Sequence, residues 1–360
     1  MKKFALVLCM ILALGACKEE NPKPQEKPVV KIGALYPMSG DGAVFGESAK
    51  NAVKIFFEEF NRKPHKFDYQ VIFEDNQYTL AKQATLTQKL INTDKVDVLI
   101  SVMSNFGAII SPTAEQNKII HFCVATDPEV SKGFYNLITS SNPAGETEMM
   151  YQKLLKEGAK KVDIVTVNAT GPEALLDYLE KRINQDNQIK ISQIFHVNAD
   201  EKDFRILLYK IKENNPDYVL VQLEMPTIDI FMEQYKSLGI NIPVTGIESF
   251  TFMKNKELVE NMWYVDAASA TNEYIKKYEN TTSQSTTNYA EYMDFILQMI
   301  TFGYEGASTT DKAAVIEYIQ NNAAGQKTAV GVISTEPDGI LNGQPVLKKI
   351  INAEAVVEEE

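Results

Sequence analysis

With 360 residues, 44% of them apolar and 23% charged, the chain can bury a sizeable core, which excludes a disordered or fibrous protein and points to two globular lobes. Its formal net charge of −12, more negative still without Lys2 and Lys3, repels phosphate backbones and anionic headgroups, so nucleic acid is excluded as a partner.

The first element is "MKKFALVLCMILALGAC", a basic start, an apolar stretch too short to span a bilayer, and small residues. That layout predicts a cleaved export signal over residues 1–16. Leu14-Gly15-Ala16-Cys17 resembles a bacterial lipobox, in which the cysteine is acylated and becomes the new N-terminus. The competing reading is an uncleaved anchor that happens to end at a cysteine. The charged, proline-rich "KEENPKPQEKP" cannot pack, so residues 17–29 read as a lipidated cysteine and its extended tether. Cys9 leaves with the leader and Cys17 carries the lipid, so Cys123 remains alone without a disulfide partner. Its setting, "IIHFCVAT", predicts a small buried side chain in a strand rather than a reactive thiol.

From residue 30, strand-like runs ("KIGALYP", "YQVIFED", "VDVLISV", "IIHFCVA") alternate with stretches of helical periodicity, and the pattern resumes with "KKVDIVTVN", "IKISQIFHV", "DYVLVQL" and "IPVTGI". This is the signature of βαβ units, and two α/β halves of similar length are its simplest reading. After "MWYVDAAS" the chain turns helical, through "NYAEYMDFILQMITFGYEG". It ends strand-like, with "PDG" and "NG" as turn chemistry. Periodicity does not decide which half receives these last pieces.

In "SGDGAVFGESAK", Gly40, Gly42 and Gly46 outline a dinucleotide loop, and the acid ending "FED" could pose as its ribose ligand. Against this, Asp41 and Glu47 would set carboxylates beside the phosphates, and Phe45 stands where a small residue is wanted, so no cofactor is expected. His65, His121 and His196 fall in no metal-ligand spacing, and no G-x-S-x-G elbow is present, so the chain offers no support for an enzyme or a metal site. What remains are polar residues where strands end. Ser104 and Asn105 follow "VDVLISVM", and Thr126 and Asp127 follow "IIHFCVA". Ligands of open α/β sheets bind outside the carboxyl ends of strands, although ordinary helix capping is the plainer account of each residue alone, and Thr126-Asp127-Pro128-Glu129 looks like a helix start. Glu248 ends "NIPVTGIE" in the same way and could meet a ligand ammonium, against the plainer reading of a solvated acid.

Taken together, "KIGALYPMSGDGAVFGESAKNAVKIFFEEFN", "FEDNQYTLAKQATLTQKLI", "ATDPEV", "GIESF" and "EPDGILNGQPVLKKI" resemble the type I periplasmic binding proteins, and most of all the leucine/isoleucine/valine-binding receptors of ABC amino-acid importers. The resemblance implies an α/β fold of two Rossmann-like lobes joined by a three-crossover hinge, with residues 30–139 and 268–344 in lobe 1 and 140–267 and 345–357 in lobe 2. It implies that Phe45 packs over the ligand and that Ser104, with Asn105 beside it, meets the ligand carboxylate. Thr126 and the backbone at Val124 and Ala125 would do likewise, and Glu248 would receive the α-ammonium. Departures from the family pattern fall at Ile138, at Ala169 and Thr170, and at Glu224 or Met225. An added carboxylate at Glu224 would favour a polar or cationic ligand, if it does not simply lie on the surface.

The expected protein is a lipid-anchored receptor, periplasmic or at the cell surface. It would capture a small solute, an amino acid with the branched-chain ones among the candidates, and present it to an ABC permease. The alternatives are an envelope lipoprotein that uses the fold as a sensor or scaffold, or a receptor for another solute such as an amide.

Overall fold

A computed structural model describes residues 26–139, 142–286, 288–336 and 339–358. The expected leader and Cys17 lie outside these residues. Among the described residues no helix is long and apolar enough to cross a membrane.

The first α/β unit begins with β1 (Val29–Tyr36), α1 (Ala43–Phe60), β2 (Asp68–Asp75), α2 (Leu80–Lys89), β3 (Val98–Val102), α3 (Ser104–Asn117), β4 (Ile120–Val124) and β5 (Asn136–Ile138). The chain then passes to a second unit made of α4 (Pro143–Lys156), β6 (Lys161–Val167), α5 (Thr170–Asp186), β7 (Lys190–Val197), α6 (Arg205–Asn214), β8 (Tyr218–Gln222), α7 (Thr227–Ser237), β9 (Val244–Gly246) and β10 (Trp263–Asp266). It returns with α8 (Asn272–Thr282), α9 (Asn288–Ala307), α10 (Lys312–Asn322), the short pair β11 (Lys327–Thr328) and β12 (Gly331–Val332), and the hairpin β13 (Ser334–Glu336) and β14 (Ile340–Asn342). A third passage leads to β15 (Val346–Ile351) and β16 (Glu354–Val357).

The first sheet has the order β13-β14-β5-β4-β3-β1-β2, and all its pairings are parallel except β13 with β14. The second has the order β7-β6-β8-β9 and is parallel throughout. A bridge between Ile247 and Val265 joins its edge to the antiparallel trio β10-β15-β16. Central strands read as unbroken apolar runs because helices cover both faces: every residue of β3 ("VLISV") and β8 ("YVLVQ") is buried. One face of the first sheet packs Ile32, Val98, Ile100 and Phe122 with Ile296, Ile300 and Ile316 of the late helices. The other packs Leu35 and Leu99 with Leu90, Ile110 and Ala114. The second sheet is likewise doubly covered, by Leu208, Phe231 and Tyr235 on one side and by Leu154, Leu176 and Leu179 on the other. Each such Leu, Ile, Val or Phe side chain contributes roughly 1.5–3 kcal/mol by burial.

Two expectations are refined. "NG" at Asn342-Gly343 marks the third passage between units rather than a hairpin turn, and the closing hairpin instead turns at Asn352 and Ala353, both at positive φ. Of "PDG", Pro337 and Asp338 lie outside the described residues.

Candidate functional site

The strand ends of the two sheets face each other across a cavity of about 110 Å³. At roughly 10–15 Å³ per water-sized occupant, this holds a small organic molecule of several non-hydrogen atoms. All eleven of the residues expected at a ligand site line this one cavity: Phe45, Ser104, Asn105, Val124, Ala125, Thr126, Ala169, Thr170, Glu224, Met225 and Glu248. Gln222, Tyr78, Tyr289 and Tyr292 line it as well, and sequence reasoning missed them.

On the first unit, backbone strain sets the geometry. Met103 has φ 70° and ψ 141°, a region that side chains rarely occupy, and it bends the chain between β3 and α3. Ser104 then opens α3, where its Oγ accepts from the backbone N–H of Thr126 and of Asp127, both at 3.1 Å. A hydroxyl has two acceptor sites and one proton. With both acceptor sites used, the Ser104 proton is free to donate into the cavity. The helix-start pattern Thr126-Asp127-Pro128-Glu129 forms a single 3-10 turn, Pro128–Ser131, and its cap is Asp127, which accepts from Glu129 N at 2.9 Å. Thr126 is thereby released to face the cavity. Phe45 packs against Tyr289, with ring centroids 4.4 Å apart, and Tyr292 donates to Ala268 O at 3.0 Å. Tyr78 is held at φ 59°, its N–H bonded to the buried Asn76 Oδ1 at 3.0 Å and its ring edge-on to Phe106.

On the second unit the groups are acids and an amide. Glu248 sits at φ 61°, ψ −21°, and its N–H donates to Val265 O at 2.7 Å. Ser249 ties this turn to the end of β8 by donating to Val221 O at 2.9 Å and accepting from Leu223 N at 3.2 Å. Burial pushes the Glu248 carboxyl well above the ordinary carboxylate range, and the negative charges of Glu146, Asp266 and Glu224 push it further. Glu224 has solvent-open area because it borders the void, yet the protein mass around it raises its carboxyl too. Gln222 is 3% exposed, and its Nε2 has no hydrogen-bond partner. Behind Glu248, where the chain passes between units, Lys348 pairs with the buried Asp266 at 2.6 Å, and Thr251 also donates to Asp266 at 2.7 Å. Among the described residues lining the cavity there is no Lys, Arg or His.

The units touch at the cavity. Thr126 Oγ1 stands 3.5 Å from Glu248 Oε2, and a Cβ added to Gly171, in the first turn of α5, would lie only 3.1 Å from Ser104 Oγ. A side chain at this position would press on the Ser104 hydroxyl.

The glycine-rich loop has a different role from a phosphate cradle. Asp75, the acid of "FED", accepts from Met38 N and Gln77 N, each at 2.9 Å, and so pins the loop instead of facing a ribose. Gly42 lets the loop pack, since a Cβ there would stand 2.5 Å from Pro37 Cβ. Ser101, His121 and Asn136 form a hydrogen-bonded row, at 2.7 and 3.0 Å, in the order of a nucleophile, base and orienting group. All three are 0–1% exposed, inside the first sheet and away from the cavity, and burial lowers His121 to about 4. The row is a satisfied core network and not a reactive centre.

A family model for periplasmic binding proteins matches residues 29–343. Leu/Ile/Val-binding protein homolog 6 of Brucella abortus is 25% identical over 255 residues, 69% of this chain and 63% of that protein, so the chain spans somewhat under two thirds of its length. The Leu/Ile/Val-binding protein of Citrobacter freundii is 24% identical over 340 residues, covering 87% of this chain and 88% of that protein. Among solved structures, the leucine-binding protein LivK of Thermotoga maritima superposes with a TM-score of 0.80 at 20% identity, covering 92% of this chain and 98% of that one. A solute-binding protein of R. palustris in complex with 4-hydroxybenzoate superposes at 0.82 and 16% identity, covering 92% and 96%. At these identities the structural likeness establishes the fold.

Proposed function

The chain belongs to the periplasmic binding protein family, and we propose that it is an exported receptor that closes on a small α-amino acid and delivers it to an ABC permease. The observation that carries this reading is the split chemistry of the cavity. Uncharged donors line one side, carboxylates line the other, and Thr126 and Glu248 meet between them. A zwitterion fits that polarity: its carboxylate takes the proton of Ser104 and the N–H groups at the start of α3, and its ammonium takes Glu248. A charge-assisted hydrogen bond of this kind contributes roughly 1.5–3 kcal/mol. The solved relatives bind leucine or 4-hydroxybenzoate. A benzoate has no ammonium to offer Glu248, and with Glu224 beside it the cleft repels a bare anion.

In this reading residues 30–139 with 268–344 form one lobe and 140–267 with 345–357 the other, and the three passages between them form the hinge. Ligand contacts made only when the lobes meet shift the population from open to closed. The receptor is held at the membrane by acylation of Cys17. Fatty-acid labelling of the expressed chain would then be lost in Cys17→Ala, and label retained in that variant would remove the anchor from the reading. Calorimetry of the soluble protein against the amino acids tests the function itself. At least one amino acid binds, and Glu248→Ala abolishes the signal. Binding by none, or equal binding by the variant, overturns it.

A further inference from the structure

We infer that Asp266, acting through Thr251, is a positioning residue for Glu248, and that Lys348 ties this arrangement to the third passage between the units. The inference rests on the amino-acid reading and deepens it. Glu248 borders the cavity at φ 61°, a left-handed conformation that a residue with a side chain keeps only where its surroundings fix it. Two backbone bonds do so: its N–H donates to Val265 O at 2.7 Å, and its C=O accepts from Thr251 N at 3.0 Å. Thr251 is fixed in turn by its hydroxyl, whose single proton goes to Asp266 Oδ2 at 2.7 Å, so that it accepts from the Tyr264 hydroxyl at 3.0 Å.

Asp266 is 1% exposed, and both of its oxygens are engaged. Oδ2 also accepts from Lys348 Nζ at 2.6 Å, and Oδ1 accepts from Ala267 N at 3.1 Å. Asp266 is the last residue of β10, at the second passage, and Ala267 after it lines the cavity. Lys348 lies in β15, beyond the third passage. The turn that carries Glu248 is thus bonded to both of these chain segments. A buried ion pair adds little net stability, so its worth here lies in holding one geometry. The polar groups around Glu248 are Thr126 after β4, Glu146 on α4, Glu224 before α7, Asp266 on β10, and Tyr289 and Tyr292 on α9. Asp266 is one of the carboxylates that oppose its ionisation.

Calorimetry against the standard amino acids identifies the tightest binder, which is then titrated into variants whose folding is checked by thermal melting. Thr251→Val deletes the hydroxyl at nearly constant shape and should weaken binding about tenfold, whereas Thr251→Ser, which keeps the hydroxyl, should stay within about threefold of the parent. Asp266→Asn retains an acceptor for Thr251 but removes a charge that opposes Glu248, so the pH below which affinity declines should move down. A residue that only stabilised the fold would leave that profile in place. Should Asp266→Asn not fold, the two Thr251 variants decide alone. Thr251→Val binding as tightly as the parent, Thr251→Ser binding no better than Thr251→Val, or an unmoved pH profile in Asp266→Asn overturns the inference and leaves the amino-acid receptor standing. Binding of no amino acid at all overturns both.

Discussion

The two α/β units share an architecture but differ in what they bring to the cavity. In the first, the polar groups facing the void are neutral, and two of them are already engaged. Ser104 has given both lone pairs to the backbone, and Tyr292 has given its proton to Ala268. In the second, the groups are two raised carboxyls, one of them touched only by Thr126 at 3.5 Å, and an amide whose nitrogen has no partner. The first unit is thus a template of neutral groups, and the second holds the buried carboxyl of Glu248, which a ligand ammonium would relieve. Recognition of this kind concentrates binding energy on the side whose groups are costliest to leave unpaired.

Removing the charge breaks the contrast most severely. Glu248→Ala should weaken α-amino-acid binding by two orders of magnitude or more, about 3 kcal/mol, as measured by calorimetry. Ser104→Ala takes away the template's donor and also strands the N–H groups of Thr126 and Asp127. A loss of about tenfold in affinity, with a lowered melting temperature, is expected. Gly171→Val sharpens the point that the two sides must touch. Its Cβ would stand 3.1 Å from Ser104 Oγ and its methyls would crowd that side of the cavity, so ligand-induced compaction in small-angle scattering should diminish and affinity should fall several-fold.

The pH dependence of binding follows from Glu248. The Glu248 carboxyl is raised above its ordinary 4.5 by burial and by Glu146, Asp266 and Glu224, while Thr126 opposes the shift. Only the ionised form holds an ammonium. Affinity should therefore drop as pH falls through the raised value, by at most tenfold per pH unit, and binding should release protons, detectable as a buffer-dependent heat. The smallest effect concerns stability. Glu291 on α9 is buried with Oε2 unpartnered, and burial raises its carboxyl to about 8. The folded state retains a proton that the unfolded chain gives up near 4.5, so stability present in acid is lost as pH rises towards 8. Glu291→Gln should melt about 2–4 °C higher than the parent at pH 9, with the difference gone at pH 5.

The fold was legible because parallel strands buried on both faces announce themselves as continuous apolar runs, and β3 and β8 are such runs. Ser104, Thr126 and Glu248 were legible from their places at strand ends, and that position brings them to one cavity. Tyr78 was not, since nothing in "NQYTL" marks a tyrosine at positive φ, a conformation that depends on the buried Asn76 beside it. Tyr289 and Tyr292 read as core residues of an apolar helix, and their place at the cavity depends on α9 returning some 240 residues later to pack on α1. Gln222 looked like the last residue of a strand. Its missing partner is visible only once every neighbour is in place.

The three passages between units also order the chain in time. The four strands of the second sheet are drawn from one continuous stretch, residues 161–246, so it can form its ladder from contacts near in sequence. The first sheet pairs β5, ending at Ile138, with β14 at Ile340, and its core waits for α9 and α10. Non-local pairings are entropically costly and slow. As the polypeptide emerges vectorially, the four-stranded sheet can form early, while the first sheet waits for β14 and the second unit for β15, whose Ile350 joins its core. The cavity can therefore be finished only after nearly the whole chain has been delivered.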